Sequence, residues 1–375
     1  MIYLDNAATS FPKPDAVYKS VDNILRNVGG NPGRASHRMA LEASRVVFNA
    51  REALAKVIGC PDSSRVVFTK NATEAINIAL KGFGLKPGDH VITTSFEHNS
   101  VYKTVSRLEE EGIAVTRLGP TLEGFVDASA ARRAITKKTR LVCVTHASNV
   151  FGTLLPIRDI GEMLKAKGIP FMVDGAQTVG ACPVDVGDNI DILAGTGHKA
   201  LFGPQGTGFL YVREGIELSP LINGGTGDLD NVLEMPERLE SGTMNTPGLG
   251  GLTAGIEFVM DTGIPKIHAH EKALMETVIS GLEAVSKCRI IGTTRPDRRA
   301  SLCAFTIEGL KTADIGRRLD EEFGIMIRTG AHCAPYAHRE AGTYPDGAAR
   351  VSPGYFNTPE HIAQFLRAIR IIAKK

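Results

Sequence analysis

The chain has 375 residues, 43% hydrophobic and 22% charged, which suits one large or two medium domains with real cores and excludes a mainly disordered protein. Lys and Arg number 43 against 41 Asp and Glu, for a net charge of +2, and the basic residues are scattered, so no nucleic-acid or anionic-membrane footprint is expected. No apolar run approaches the roughly 20 residues of a membrane helix. Asp5 and Asn6 stand where a signal peptide would be apolar, so the expectation is a soluble, cytoplasmic chain with neither membrane nor nucleic acid as partner. The cysteines, Cys60, Cys143, Cys182, Cys288, Cys303 and Cys333, are too few for a disulfide scaffold and show no CxxC or other metal-type spacing.

From residue 65 onward, β-branched runs alternate with helical patterns. A strand over 66–69 precedes a helix over 73–83, and a strand over 90–95 precedes a helix over 99–111. Further strands are predicted at 140–146, 170–174, 191–195 and 206–212. Strands alternating with helices imply parallel pairing through crossovers, and runs apolar on both faces fit a sheet covered on both sides. After Pro247 the pattern changes: helices over 249–260 and 265–286, a strand over 302–307, a helix over 313–322, strands over 325–329 and 349–352, and a last helix over 359–373. These readings give an α/β protein with a large domain over 16–247 and a smaller α+β unit over 1–15 and 248–375.

In open α/β sheets ligands bind beyond the carboxyl ends of the strands, so polar residues directly after apolar runs are the informative ones. Thr69 to Glu74 leads from a strand into a helix whose free N–H groups would receive an anion such as phosphate, although Thr73 also reads as an ordinary N-cap. His98 follows the next strand and by itself reads equally as a packed histidine. Asp174 ends a buried strand, where a carboxylate requires a cationic partner or good hydrogen bonds, and a protonated ligand nitrogen or a helix cap would meet that need. Lys199 sits among small residues and glycines at another strand end, where desolvation frees the amine to form a Schiff base. A lysine for an aldehyde, an acid for a pyridine nitrogen and a helix N-terminus for a phosphate are together the parts of a pyridoxal phosphate site.

With those residues in place the chain resembles the class V aminotransferase-fold cysteine desulfurases, and more narrowly the SufS/selenocysteine lyase-like group. The motifs run from Tyr3-Leu4-Asp5-Asn6-Ala7-Ala8-Thr9 through Asp174-Gly175-Ala176-Gln177, Thr196-Gly197-His198-Lys199 and Glu240-Ser241-Gly242-Thr243 to Arg328-Thr329-Gly330-Ala331-His332-Cys333. The resemblance implies the fold of type I pyridoxal-phosphate enzymes, with a mainly parallel seven-stranded sheet in the large domain, and pyridoxal 5′-phosphate as cofactor. It implies that Lys199 carries the cofactor and moves the Cα proton, that Asp174 pairs with the ring nitrogen and that Gln177 bonds the ring oxygen. His98 would stack on the ring and act as an acid/base candidate. Ala72, Thr73, Thr196 and His198 would hold the phosphate, with Thr243 reaching it from the other subunit of a homodimer. Arg350 and Asn149 would bind the substrate carboxylate, the former because a guanidinium grips a carboxylate through two parallel bonds, and His37 would stand at the substrate mouth. Taken without the resemblance, Arg350 reads as a structural ion pair.

Cys333 is the implied nucleophile. Its segment carries Arg328 and His332, and nearby positive charge enriches the thiolate that attacks. The implied reaction converts L-cysteine to alanine and leaves a persulfide on Cys333, to be passed to a sulfur-acceptor protein or small thiol in iron–sulfur cluster assembly, tRNA thiolation or a cofactor pathway. Two departures stand out: Ala331 replaces the first of two family histidines, and the stretch between Gly224 and Gly242 is short, which favours an acceptor other than a SufE-like protein. The rival activities are a selenocysteine lyase and a C–S lyase releasing pyruvate. A non-catalytic regulatory protein of the same fold is the rival from another class.

Overall fold

A computed structural model of the chain describes residues 1–33, 36–121, 125–224 and 234–374. The short strand β1 (Ile2–Tyr3) leads into α1 (Asp15–Asn27) and α2 (Arg38–Val57), two helices that precede the expected alternation. The alternation follows as β2 (Val66–Thr69), α3 (Ala72–Gly82), β3 (His90–Thr94), α4 (Asn99–Glu110), β4 (Ala114–Leu118), α5 (Ala128–Ala134) and β5 (Thr139–Thr145). It continues through α6 (Ile157–Lys165), β6 (Phe171–Asp174), β7 (Ile192–Thr196) and β8 (Gly208–Val212). The rest of the chain forms α7 (Thr246–Thr262), α8 (Ile264–Glu283), β9 (Cys288–Ile290), β10 (Cys303–Ile307), α9 (Thr312–Phe323), β11 (Ile325–Met326), β12 (Arg328–Gly330), α10 (Pro335–Glu340), β13 (Ala348–Val351) and α11 (Pro359–Ala373).

Seven strands form one mixed, mostly parallel sheet in the order β2-β8-β7-β6-β5-β3-β4. Strands β3, β6, β7 and β8 are buried along their whole length, as expected of a sheet with helices on both faces. Strand β4, at the edge, alternates no apolar face and carries the polar Thr116 and Arg117, which is why its sequence does not read as a strand. The expectation of parallel pairing fails for β8, which runs antiparallel to both β7 and β2. Thr196 pairs with Gly208 across the short loop between β7 and β8, and a parallel return would need a crossover of a dozen or more residues.

The second unit packs β10 and β13 against α8, α9 and α11, around Phe305, Phe365, Ile369, Leu319 and Leu274. Strand β1 joins it through parallel pairing of Ile2 with Ile325. Helix α7, assigned above to the smaller unit, instead packs on α1 and α2, and its Leu249, Leu252 and Ile256 belong to the core of the larger layer. A division near Gly263 therefore follows the two cores more closely than one at residue 247. Among the described residues no helix is long and apolar enough to cross a membrane.

Candidate active site

The carboxyl ends of β2, β3, β5, β6 and β7 open onto one hollow of about 210 Å³, closed from the other side by Ala7, Ala8, Arg328, Cys333 and Arg350. The turn from β2 into α3 forms one wall. Asn71 caps α3 by accepting from the amide of Glu74 at 3.0 Å, while the first-turn amides of Ala72 and Thr73 lack intrahelical acceptors. Both residues line the hollow, so the positive end of α3 points into it. Gly208 makes this possible: a Cβ there would lie 2.5 Å from the Asn71 Cα, so only glycine lets β8 start against that turn.

Lys199 and Asp174 share the floor. Burial pushes the Lys199 ammonium down to about 8, opposed by the attraction of Asp174. Asp174, 4% exposed, is pushed up by burial, and its Oδ1 accepts from the Ala176 amide at 2.9 Å. Gln177 lines the same wall and donates to the Ala7 carbonyl at 3.2 Å. His98 caps α4, its Nδ1 accepting from the Ser100 amide at 3.1 Å, which leaves Nε2 as the N–H that faces outward. Burial, reinforced by Lys199, Arg328 and Arg350, lowers its pKa to about 4, so the ring is neutral at pH 7 and offers a donor. His198 is likewise lowered to about 4, chiefly by burial. Its carbonyl accepts from the Ser10 amide and the Thr9 hydroxyl, both at 3.0 Å, so the first residues of the chain anchor the peptide that precedes Lys199.

Arg350 is 1% exposed, lines the hollow and forms a buried ion pair. One Nη donates to Asp5 Oδ1 at 2.8 Å and the other to the Asn149 carbonyl at 3.0 Å, while the buried Nε has no partner among the described residues. Asn149 donates through Nδ2 to the His332 carbonyl at 2.6 Å, and its Oδ1 is also without a partner among the described residues. His198 Nδ1 makes a third such atom on the wall. Buried donors and acceptors left unpaired cost about 1–3 kcal/mol each, and these three belong to side chains that line the hollow.

The segment that carries Cys333 enters from the second unit. Antiparallel pairing of β12 with β13 sets Arg328 opposite Arg350, and the following loop carries Cys333, the exposed cysteine, whose carbonyl accepts from the Asn99 amide at 2.9 Å. Arg328 donates through Nη2 to Cys333 Sγ at 3.3 Å. His332 and Cys333 have φ of +49° and +57°, a left-handed conformation that costs non-glycine residues roughly 1–2 kcal/mol each. His332, expected to supply charge to the thiol, does not do so. The residue is 3% exposed, and burial, with Arg350, pushes its pKa down to about 2, so it is neutral and the cation in contact with the thiol is Arg328.

The hollow thus collects Ala72, Thr73, His98, Asn149, Asp174, Gln177, Thr196, His198, Lys199, Cys333 and Arg350, chain segments up to 278 residues apart. Two expected residues are elsewhere in this chain. His37 caps α2 through the Ala40 amide, at 3.3 Å, and Thr243 lines a separate hollow with Lys70 and Glu74. The short stretch noted between Gly224 and Gly242 falls largely on residues 225–233, outside the described residues. Sequence reasoning missed Asp5 as the partner that holds Arg350. A carboxylate between the buried Leu4 and Ala7 was the available signal, because such an acid needs a cation.

Residues 2–365 match the family model for aminotransferase class-V. A probable cysteine desulfurase of Methanothermobacter thermautotrophicus is 35% identical over 371 residues, covering 96% of this chain and 92% of the relative. Among solved structures, the apo cysteine desulfurase of Thermococcus onnurineus superposes with a TM-score of 0.94 at 34% identity, covering 100% of this chain and 94% of the other. The cysteine desulfurase CsdA of Escherichia coli superposes with a TM-score of 0.89 at 28% identity, covering 99% and 94% respectively.

Proposed function

The chain belongs to the class-V aminotransferase family, and on that premise we propose that it is a pyridoxal-phosphate-dependent cysteine desulfurase whose sulfur carrier is Cys333. The observation that carries the reading is the placement of an exposed, arginine-contacted thiol and a buried, easily deprotonated lysine on opposite walls of one hollow. The residues present fit pyridoxal 5′-phosphate: the α3 N-terminus, Thr73, Thr196 and His198 suit its phosphate, Asp174 its ring nitrogen, Gln177 its ring oxygen and Lys199 its aldehyde. Bound there, the cofactor would act as an electron sink for the amino acid carbon skeleton.

The chain's own groups divide the remaining work. The Arg350 guanidinium and Asn149 take the carboxylate of L-cysteine, and Asp5 keeps the guanidinium in position. Lys199, with an amine that loses its proton near neutral pH, moves the proton at Cα. His98 presents an N–H to the ring face or to the departing fragment. The Cys333 thiolate, held against Arg328, attacks the substrate sulfur. An S–S bond forms, the C–S bond breaks with its electron pair left on carbon, and protonation of that carbon yields alanine.

Thr243 is read as a phosphate ligand of the neighbouring copy in a homodimer, a reading supported by its position in a separate hollow. The subgroup assignment to the SufS/selenocysteine lyase-like group rests on the same motifs. Incubation with L-cysteine, with amino acid analysis and intact-mass detection, tests the proposal: alanine and one added sulfur on Cys333 are expected. Pyruvate without a protein persulfide would replace it with β-elimination.

A further inference from the structure

Behind the Cys333 loop lies a chain of polar side chains, two buried histidines and the half-buried Thr343, that the reaction above does not use. His332 Nδ1 is 3.1 Å from His338 Nε2, and His338 Nδ1 is 2.7 Å from the Thr343 hydroxyl. His332 Nε2 is 3.5 Å from the Arg328 carbonyl. A carbonyl can only accept, so His332 carries its proton on Nε2 and its Nδ1 accepts from His338 Nε2–H. His338 Nδ1 then accepts from the Thr343 hydroxyl, and the whole run points one way, from Thr343 to the backbone of Arg328. The two rings are 3% and 0% exposed, and burial lowers their pKa values to about 2 and about 4, so both stay neutral and a single arrangement persists at pH 7.

The far end of the chain is firmly placed. Thr343 donates its amide to the His338 carbonyl at 2.8 Å and accepts from the Gly347 amide at 2.7 Å, directly before β13. Gly347 lies so close to Gly330 that a Cβ would meet its backbone at 2.1 Å, which fastens the base of the loop to the same segment. At the near end are the two residues with left-handed backbone, His332 and Cys333, and the arginine that touches the thiol. A conformation that neither residue favours persists only when its surroundings over-determine it.

We propose that Thr343 and His338 are positioning residues that act through His332 to hold the Cys333 loop in its left-handed form, keeping the thiol against Arg328. His338 and Thr343 do not line the hollow, so they act on the nucleophile and not on the substrate or cofactor. The inference rests on Cys333 as the reactive thiol of the proposed reaction, but its test reads the loop itself and is independent of whether cysteine is turned over.

The test measures the rate of alkylation of Cys333 by iodoacetamide at pH 7 in the full-length protein as purified, with the site assigned by peptide mass. Thr343→Val removes one hydroxyl at constant volume, and it should slow alkylation about three- to tenfold, the factor that one hydrogen bond commands. Thr343→Ser, which restores the donor, should alkylate at the wild-type rate. His338→Ala should be slowed at least as much as Thr343→Val. Nitrogen NMR of labelled histidine should show His332 and His338 as neutral Nε2–H tautomers in the parent, with the His338 Nδ1 signal moved in Thr343→Val. A wild-type alkylation rate in Thr343→Val, or a rate in Thr343→Ser as slow as in Thr343→Val, overturns the proposal. Should His338→Ala fail to fold, Thr343→Val decides alone.

Discussion

Replacing Lys199 by methionine removes a charge from the floor of the hollow at nearly constant shape, and its effect on stability can be worked out from the structure. Burial lowers the Lys199 pKa from its ordinary 10.5 to about 8. Between those values the unfolded chain binds more protons than the folded one, so this group makes stability rise with pH, and its full penalty applies below pH 8. At 1.36 kcal/mol per pKa unit the penalty is at most about 3 kcal/mol at pH 7, falling to about 1 kcal/mol by pH 10. Urea unfolding of cofactor-free protein at pH 7, 8, 9 and 10 should therefore find Lys199→Met more stable than the parent at pH 7. The advantage should shrink as pH rises. Loss of the lysine also leaves Asp174 without its cationic neighbour, which trims the gain at neutral pH. A variant equally stable or less stable at pH 7, or an advantage that grows with pH, would refute the assignment of Lys199 as a desolvated amine.

Three further outcomes are expected. Cys333→Ser should retain the cofactor absorption of the parent, because the thiol touches Arg328 and not the floor, while losing the mass increment of the persulfide and alanine release. Arg350→Lys should raise KM for cysteine by about tenfold or more, since one ammonium cannot hold Asp5 and also present a planar donor fork to a carboxylate; steady-state kinetics measures it. Glu240→Ala should lower stability by about 3–5 kcal/mol in chemical denaturation, because it strands the buried Arg51 guanidinium, now paired to both Glu240 oxygens at 2.7 and 2.9 Å. The same carboxylate accepts from the Phe68 amide at 2.6 Å, so β2 should loosen with it.

The chemistry at the ends of strands was legible because each signal is local. Asp174 ends a run that is buried throughout, and Lys199 follows another, so an unusual charge stands out against its own neighbours. Cys333 was legible only through the order of motifs along the whole chain. Its exposure, which separates it from the four fully buried cysteines and the partly buried Cys288, is a property of the folded loop.

What tertiary structure decided depends on pairs that no local pattern encodes. Asp5 and Arg350 meet because β1 joins β11 while the next residues bridge to Ser352 beside β13, and neither segment predicts the other. The direction of β8 follows from the length of a loop, and the place of α7 from which helices flank it, so apolar periodicity alone sets neither. His332 illustrates the same limit: beside a cysteine in sequence it reads as a nearby positive charge, yet burial against His338 makes it neutral and turns it to a structural use. The sequence by itself determined which side chains are candidates to carry the chemistry, since charge and nucleophilicity belong to side chains. Their protonation and their partners were decided by the fold, because desolvation and distance exist only once the chain is packed.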